Sequence, residues 1–108
     1  MSTDAVIATL RGFVEERDWA QFHSPGNLAK SISIEAAELL ECFQWSDDVE
    51  QERVTAELAD VLTYCLLLAD RLHVDPEAIV LAKLEETRRK YPAESARGRS
   101  TKYDQLPD

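Results

Sequence analysis

The sequence predicts an all-α protein, and three observations carry that prediction. Glycine and proline are scarce, at three and four among 108 residues. No stretch alternates apolar and polar residues as a half-buried strand does. Apolar residues recur instead at helical spacing in four segments joined by short connections, the pattern of a four-helix bundle.

The first segment, about Thr3 to Arg17, places Val6, Leu10, Phe13 and Val14 on one face. It ends before DWAQFHSPG, where Pro25-Gly26 signals a turn. The second runs from about Asn27 to Gln44 and the third from about Val49 to His73. Asp75-Pro76 suits the start of the fourth, with Asp as cap and Pro in the first turn. That helix ends near Lys90, where Arg88, Arg89 and Lys90 complement the negative end of its dipole. Residues 1–92 are thus expected to form one helical domain, and residues 93–108 a polar, flexible tail. From Leu58 to Ala69 only Asp60 and Thr63 are counted polar, so the third helix is apolar nearly all round. Such a helix is normally surrounded, which four short helices do poorly. Self-association through the second and third helices, as a homodimer or homotetramer, is therefore expected.

Bulk properties exclude several functions. The longest apolar-rich run, Val61 to Ala69, covers nine residues, against the roughly 20 of a membrane helix. The opening MSTDAVIATL lacks the basic start of a signal peptide. Cys42 and Cys65 stand among apolar residues without a CxxC or CxxH neighbourhood, as thiols do in a reducing compartment. The expected location is cytoplasmic. Net charge is −9, and from Glu35 to Asp60 nine acids face one base, Arg53. A centre this acidic repels phosphate backbones, so neither nucleic acid nor membrane is an expected partner. A small phosphate ligand can still bind there if divalent cations accompany it.

The acids follow a pattern. SIEAAELLECFQW, residues 33–45, places Glu35, Glu38 and Glu41 at intervals of three, and ELAD repeats the interval with Glu57 and Asp60. Residues three apart on a helix are neighbours. Glu35 falls inside the apolar stripe Leu28, Ile32, Leu39, Cys42, and Asp60 lies one turn before Tyr64. Solvated helix faces account for Glu50 and Glu52; for Glu41 a solvated face and a place in the cluster stand level. Such faces do not account for two inward pairs, which desolvation and mutual repulsion would penalise by several kcal/mol each. Hard divalent cations relieve such a cluster, and Mg²⁺ typically binds through carboxylates, waters and substrate phosphates. Di-iron bundles use Glu-x-x-His twice. Here the third-residue partners are Glu38 and Asp60, so an all-oxygen site for Mg²⁺ or Mn²⁺ is expected.

These residues carry a resemblance. EAAE, eighteen residues, then ELAD is similar to the E-x-x-E…E-x-x-D signature of the MazG-like all-α nucleotide pyrophosphohydrolases. RDWAQFHSPGNL, FQW, ADVLTYCLLLADRLHVD and KLEETRRKYP resemble the dCTP pyrophosphatase branch, over roughly three quarters of the chain. The resemblance implies Mg²⁺-dependent hydrolysis of a nucleoside triphosphate between its α and β phosphates, with dCTP or a modified dCTP as one preferred substrate, in nucleotide-pool house-cleaning. It implies Glu35, Glu38, Glu57 and Asp60 as metal ligands, with Glu38 or Glu41 accepting the proton of the attacking water. Trp19, Trp45 and Tyr64 match positions that hold the base, with His23 and Asn27 nearby; packing is the alternative role for each aromatic, and backbone bonding for His23. Lys30 and Lys83 are placed to reach phosphates or simply to solvate the surface. Two departures, Leu10 for a His and Thr87 for an Asn, touch base preference and leave the reaction type intact. The competing class is a non-catalytic, nucleotide- or metal-binding regulatory module, for which a full set of four ligands is unnecessary.

Overall fold

A computed structural model describes residues 2–107, and among them every regular element is helical. Helix α1 spans Thr3–Glu16, α2 Pro25–Glu41, α3 Gln51–Arg71, α4 Pro76–Lys90 and the single-turn α5 Ala93–Ala96, with 3₁₀ turns at Ala20–Phe22 and Tyr103–Gln105. The chain divides into two compact units, one ending at Val74 and one beginning at Asp75.

Local chemistry sets the ends of the helices in the first unit. Ser24 caps α2, its hydroxyl accepting the Asn27 amide at 3.1 Å, and Pro25 occupies the first turn. The helix therefore starts ahead of Asn27. Its far end tightens: the Cys42, Phe43 and Gln44 amides donate to carbonyls three residues back, which ends the α-helix at Glu41. Helices α1 and α3 close the same way. The amides of Asp18 and Trp19 donate to Glu15 and Val14, and those of His73 and Val74 to Asp70 and Ala69. Both are Schellman closures, which place the residue after the cap in the left-handed region. Asp18 (φ 53°) and His73 (φ 58°) hold the positions glycine usually takes. Neither stop could be read from a glycine in the sequence.

The His73 conformation gives a first prediction. His73→Gly removes the left-handed penalty of a side chain and should stabilise the fold by about 0.5–1 kcal/mol. A urea midpoint that falls instead would mean the imidazole holds this turn in place.

Helix α2 packs mainly along α3, and α1 lies against α3. The fully covered residues are few: Ile7 and Val14 from α1, Leu28 from α2, Cys42 after it, and Ala69 from α3. Glu35, expected in the buried stripe, is indeed half-buried between Leu28 and Cys42 on that stripe. The outer faces of α2 and α3 stay uncovered, with Leu40 69% and Leu62 52% exposed.

In the second unit, Asp75 caps α4 by accepting the Glu77 and Ala78 amides. Ion pairs Lys83–Glu86, Arg88–Glu85 and Lys90–Glu86 run along its exposed face. The segment after Pro92 folds back on this helix end. Tyr103 meets Tyr91 edge-on with centroids 6.1 Å apart, and the Lys90 ammonium lies 4.9 Å from the Tyr103 ring centroid. Aromatic and cation–π contacts thus join part of this stretch to the end of α4.

Candidate metal and nucleotide site

The α2–α3 packing brings the two acidic motifs together. Glu35 on α2 and Glu57 and Asp60 on α3 each offer a carboxylate oxygen, and these atoms lie within 4.8 Å of one another. Glu38, one turn after Glu35, stands close enough to Glu35 and Glu57 for both to act on its protonation. Glu41 is exposed at the last residue of α2, and its charge is felt at Glu38. No ion pair from Lys or Arg to these carboxylates occurs among the described residues, although Arg53 favours the charged form of Glu57.

The electrostatics follow from that crowding. Glu38 is raised above the usual carboxylate range, first by its hydrogen bond to Glu35, then by that group's charge and by desolvation; its bond to Glu57 offsets part of this. Glu57 is raised by desolvation first and then by the charges of Glu38 and Asp60. One oxygen of Glu35 and one of Glu57 are buried with no hydrogen-bond partner. Buried acceptors are rarely left without one. All-oxygen donors, two of them orphaned, fit a hard divalent cation such as Mg²⁺ or Mn²⁺.

A pH dependence follows. A carboxyl whose folded pKa is raised binds its proton more tightly in the folded state, so stability falls as pH rises from the unfolded value through the raised one. The metal-free protein should therefore lose stability from about pH 4.5 upward through the raised values of Glu38 and Glu57. Glu38→Gln should flatten that part of the pH–stability curve in EDTA. An identical curve for the variant would show that repulsion at Glu38 has no thermodynamic weight.

Beside the carboxylates lies an apolar cavity of about 260 Å³, with Trp19, His23, Asp60 and Tyr64 in its wall. Leu10, Phe13 and Val14 line it from α1, and Thr63 and Leu67 from α3. The Schellman closure at Asp18 is what aims Trp19 into this wall. It turns the chain back so that Trp19 meets Phe13 edge-on, with centroids 5.6 Å apart. Asp60 belongs both to the carboxylate group and to the cavity lining.

The other expected residues fall elsewhere. Asn27 donates from its side chain to the Phe22 carbonyl at 3.0 Å, bracing the loop that carries His23. Lys30 is exposed on α2. Trp45, in the α2–α3 connection, is 88% exposed. Lys83 lies on α4 in the second unit, where it pairs with Glu86 at 3.1 Å. Sequence reasoning passed over Phe13, Thr63 and Leu67 as lining residues. A signal for the last two existed: they stand three and seven residues after Asp60, on its own helix face.

Comparison with known proteins identifies the family. The sequence model of the MazG-like family matches residues 30–106. The dCTP pyrophosphatase 1 of Homo sapiens is 46% identical, and that of Rattus norvegicus 43% identical, each alignment covering 88% of this chain and 62% of the relative. The chain thus spans under two thirds of the length of these curated relatives. The crystal structure of a pyrophosphatase from Archaeoglobus fulgidus DSM 4304 superposes with a TM-score of 0.76 at 43% identity, covering 82% of this chain and 91% of that one. With its all-helical fold and its paired acidic motifs, the chain belongs to the MazG-like family.

Proposed function

We propose that this chain hydrolyses nucleoside triphosphates between the α and β phosphates, releasing a nucleoside monophosphate and pyrophosphate, with dCTP or a modified dCTP as preferred substrate. The observation that carries this reading is the double membership of Asp60. A carboxylate cluster and an aromatic cavity that share one residue suit a ligand with a polyanion at one end and a flat base at the other. Support also comes from the relatives, which carry the names of a dCTP pyrophosphatase and a pyrophosphatase.

In this reading Glu35, Glu38, Glu57 and Asp60 hold Mg²⁺, for which Mn²⁺ can substitute. The bound cation supplies charge neutralisation of the triphosphate and activation of a water for attack on phosphorus. The protein's own carboxyls do the rest. Glu38 or Glu41 takes the water's proton, both lying on the α2 face that carries Glu35. Trp19 and Tyr64 contact the faces or edges of the base, and His23 offers it a hydrogen bond. A cavity of about 260 Å³ has room for a single nucleobase. Lys30 provides a mobile cation for the phosphates. Trp45 is free to close on the base or on a neighbouring subunit.

The uncovered apolar faces of α2 and α3, including Ile34, Leu40, Leu58 and Leu62, support assembly as a homodimer or homotetramer. A cytoplasmic house-cleaning role completes the reading; both cysteines are free, Cys42 buried and Cys65 exposed, although burial of both is what their apolar neighbours suggest.

The test is a panel of canonical and 5-substituted (d)NTPs, each assayed with Mg²⁺ and with EDTA. The reading expects cytosine nucleotides to turn over fastest and EDTA to abolish turnover. Purines turned over as fast as pyrimidines would remove the base assignment. Unchanged turnover in EDTA would remove the metal.

A further inference from the structure

The aromatic cavity has two walls on two helices. Leu10, Phe13 and Val14 form the α1 side, and Asp60, Thr63, Tyr64 and Leu67 the α3 side. Its width therefore depends on how α1 is held against α3. Few buried side chains do that holding, since Ile7 and Val14 are the only buried residues of α1. Among the described residues one polar tie joins the two helices directly. Arg11 Nε donates to Asp70 Oδ2 at 3.2 Å, and a terminal guanidinium nitrogen donates to Oδ1 at 2.5 Å. The other ion pair within the described residues of this unit, Arg17–Glu16, joins chain neighbours.

We propose that the Arg11–Asp70 fork is a positioning pair that sets the spacing of the two walls, and so selects the base that the cavity accepts. This rests on the nucleotide-binding reading of the cavity. Arg11 immediately follows Leu10 in the α1 wall and lies two residues before Phe13, while Asp70 stands three residues after Leu67 in the α3 wall. A two-bond fork fixes both distance and orientation, which a single ammonium contact does not. The pair is also not a core element. Its side chains keep 52% and 27% of their exposure, and both residues border a second cavity of about 370 Å³ whose wall includes His23. His23 lines both cavities, so it rests between the tie and the base pocket. Pairs this exposed contribute little to folding free energy. What they can still do is hold a register. Asp70 is kept below the usual carboxylate range by the guanidinium, so the fork stays charged across the physiological range.

The experiment compares the full chain with Arg11→Met, Arg11→Lys, Asp70→Asn and the exchanged pair Arg11→Asp with Asp70→Arg. Three quantities are read: KM and kcat for dCTP and dATP, the dissociation constant of dCMP by calorimetry, and the thermal midpoint. Arg11→Met and Asp70→Asn should raise the dCTP KM and weaken dCMP binding about fivefold, the effect of roughly 1 kcal/mol. Their kcat should stay within about twofold of wild type. Discrimination against dATP should shrink, Arg11→Lys should recover only part of the loss, and the exchanged pair should recover more. Unchanged dCMP binding in Arg11→Met overturns the proposal. So do losses equal for both bases that simply track the thermal midpoint, or a wild-type chain that binds no dCMP. If the wild type binds dCMP but hydrolyses no nucleotide, the enzymatic reading fails, and the calorimetric series still decides the positioning pair.

Discussion

Asp60→Asn is expected to lower Mg²⁺-dependent turnover by at least about a hundredfold while leaving the fold intact. The magnitude follows from comparison: removing a partner that merely orients a metal ligand typically costs 10–100-fold, and Asp60 is assigned as a ligand itself. The change is nearly isosteric and deletes one negative charge from a group of carboxylates within 4.8 Å of one another. Repulsion on Glu57, to which Asp60 contributes, is thereby relieved. The metal-free variant should consequently be as stable as the parent or more so, whereas the parent alone should gain stability on adding Mg²⁺. That opposition separates loss of a ligand from loss of the fold. Calorimetric titration of Mg²⁺ and a turnover assay check both halves. Wild-type turnover in Asp60→Asn would show that the oxygens of this residue are not needed for metal or substrate.

Leu28→Ala is expected to cost about 3 kcal/mol, within the usual 2–5 kcal/mol for truncating a buried leucine. Leu28 is 1% exposed and is the one large side chain buried this completely among the described residues. It also lines the cavity of about 370 Å³ beside Arg11 and Asp70, so its removal enlarges an existing void. For a domain of this size the thermal midpoint should fall by roughly 15 °C. Loss below about 1 kcal/mol, measured by urea unfolding, would mean that neighbouring helices collapse freely into the space. Leu40→Ala makes the contrast, because Leu40 is 69% exposed in the single chain. A cost there comparable to that at Leu28, growing with protein concentration, would report burial of the α2 face by a second copy.

How much of this was legible in the sequence differs by element. The four long helices were, since apolar periodicity and the Asp75-Pro76 start are local properties. The acidic pairs were legible for the same reason, with Glu35 conspicuous inside an apolar stripe. The stops of α1 and α3 fell within two residues of those expected, but their left-handed closures were not legible, because Asp18 and His73 adopt a conformation that normally announces itself as glycine. The consequence reached the site: without the Asp18 closure there was no way to see Trp19 folding back on Phe13. The Arg11–Asp70 fork joins residues 59 apart, and no spacing rule reaches across that distance. The Tyr91–Tyr103 contact similarly depends on a chain reversal that composition does not announce. Local spacing thus exposed the carboxylate pairs and resemblance pointed to Trp19, His23 and Tyr64, while the α1 side of the cavity, Phe13 and Val14, became visible only in three dimensions.

In the proposed reaction the carboxylate cluster directs hydrolysis to one bond of a triphosphate. Phosphorus NMR of dCTP incubated with the chain and Mg²⁺ tests it most directly. The expected spectrum shows dCMP and pyrophosphate accumulating in equal amounts, with nothing formed in EDTA or with Asp60→Asn. Diphosphate with orthophosphate, or product formation that survives EDTA, would contradict it.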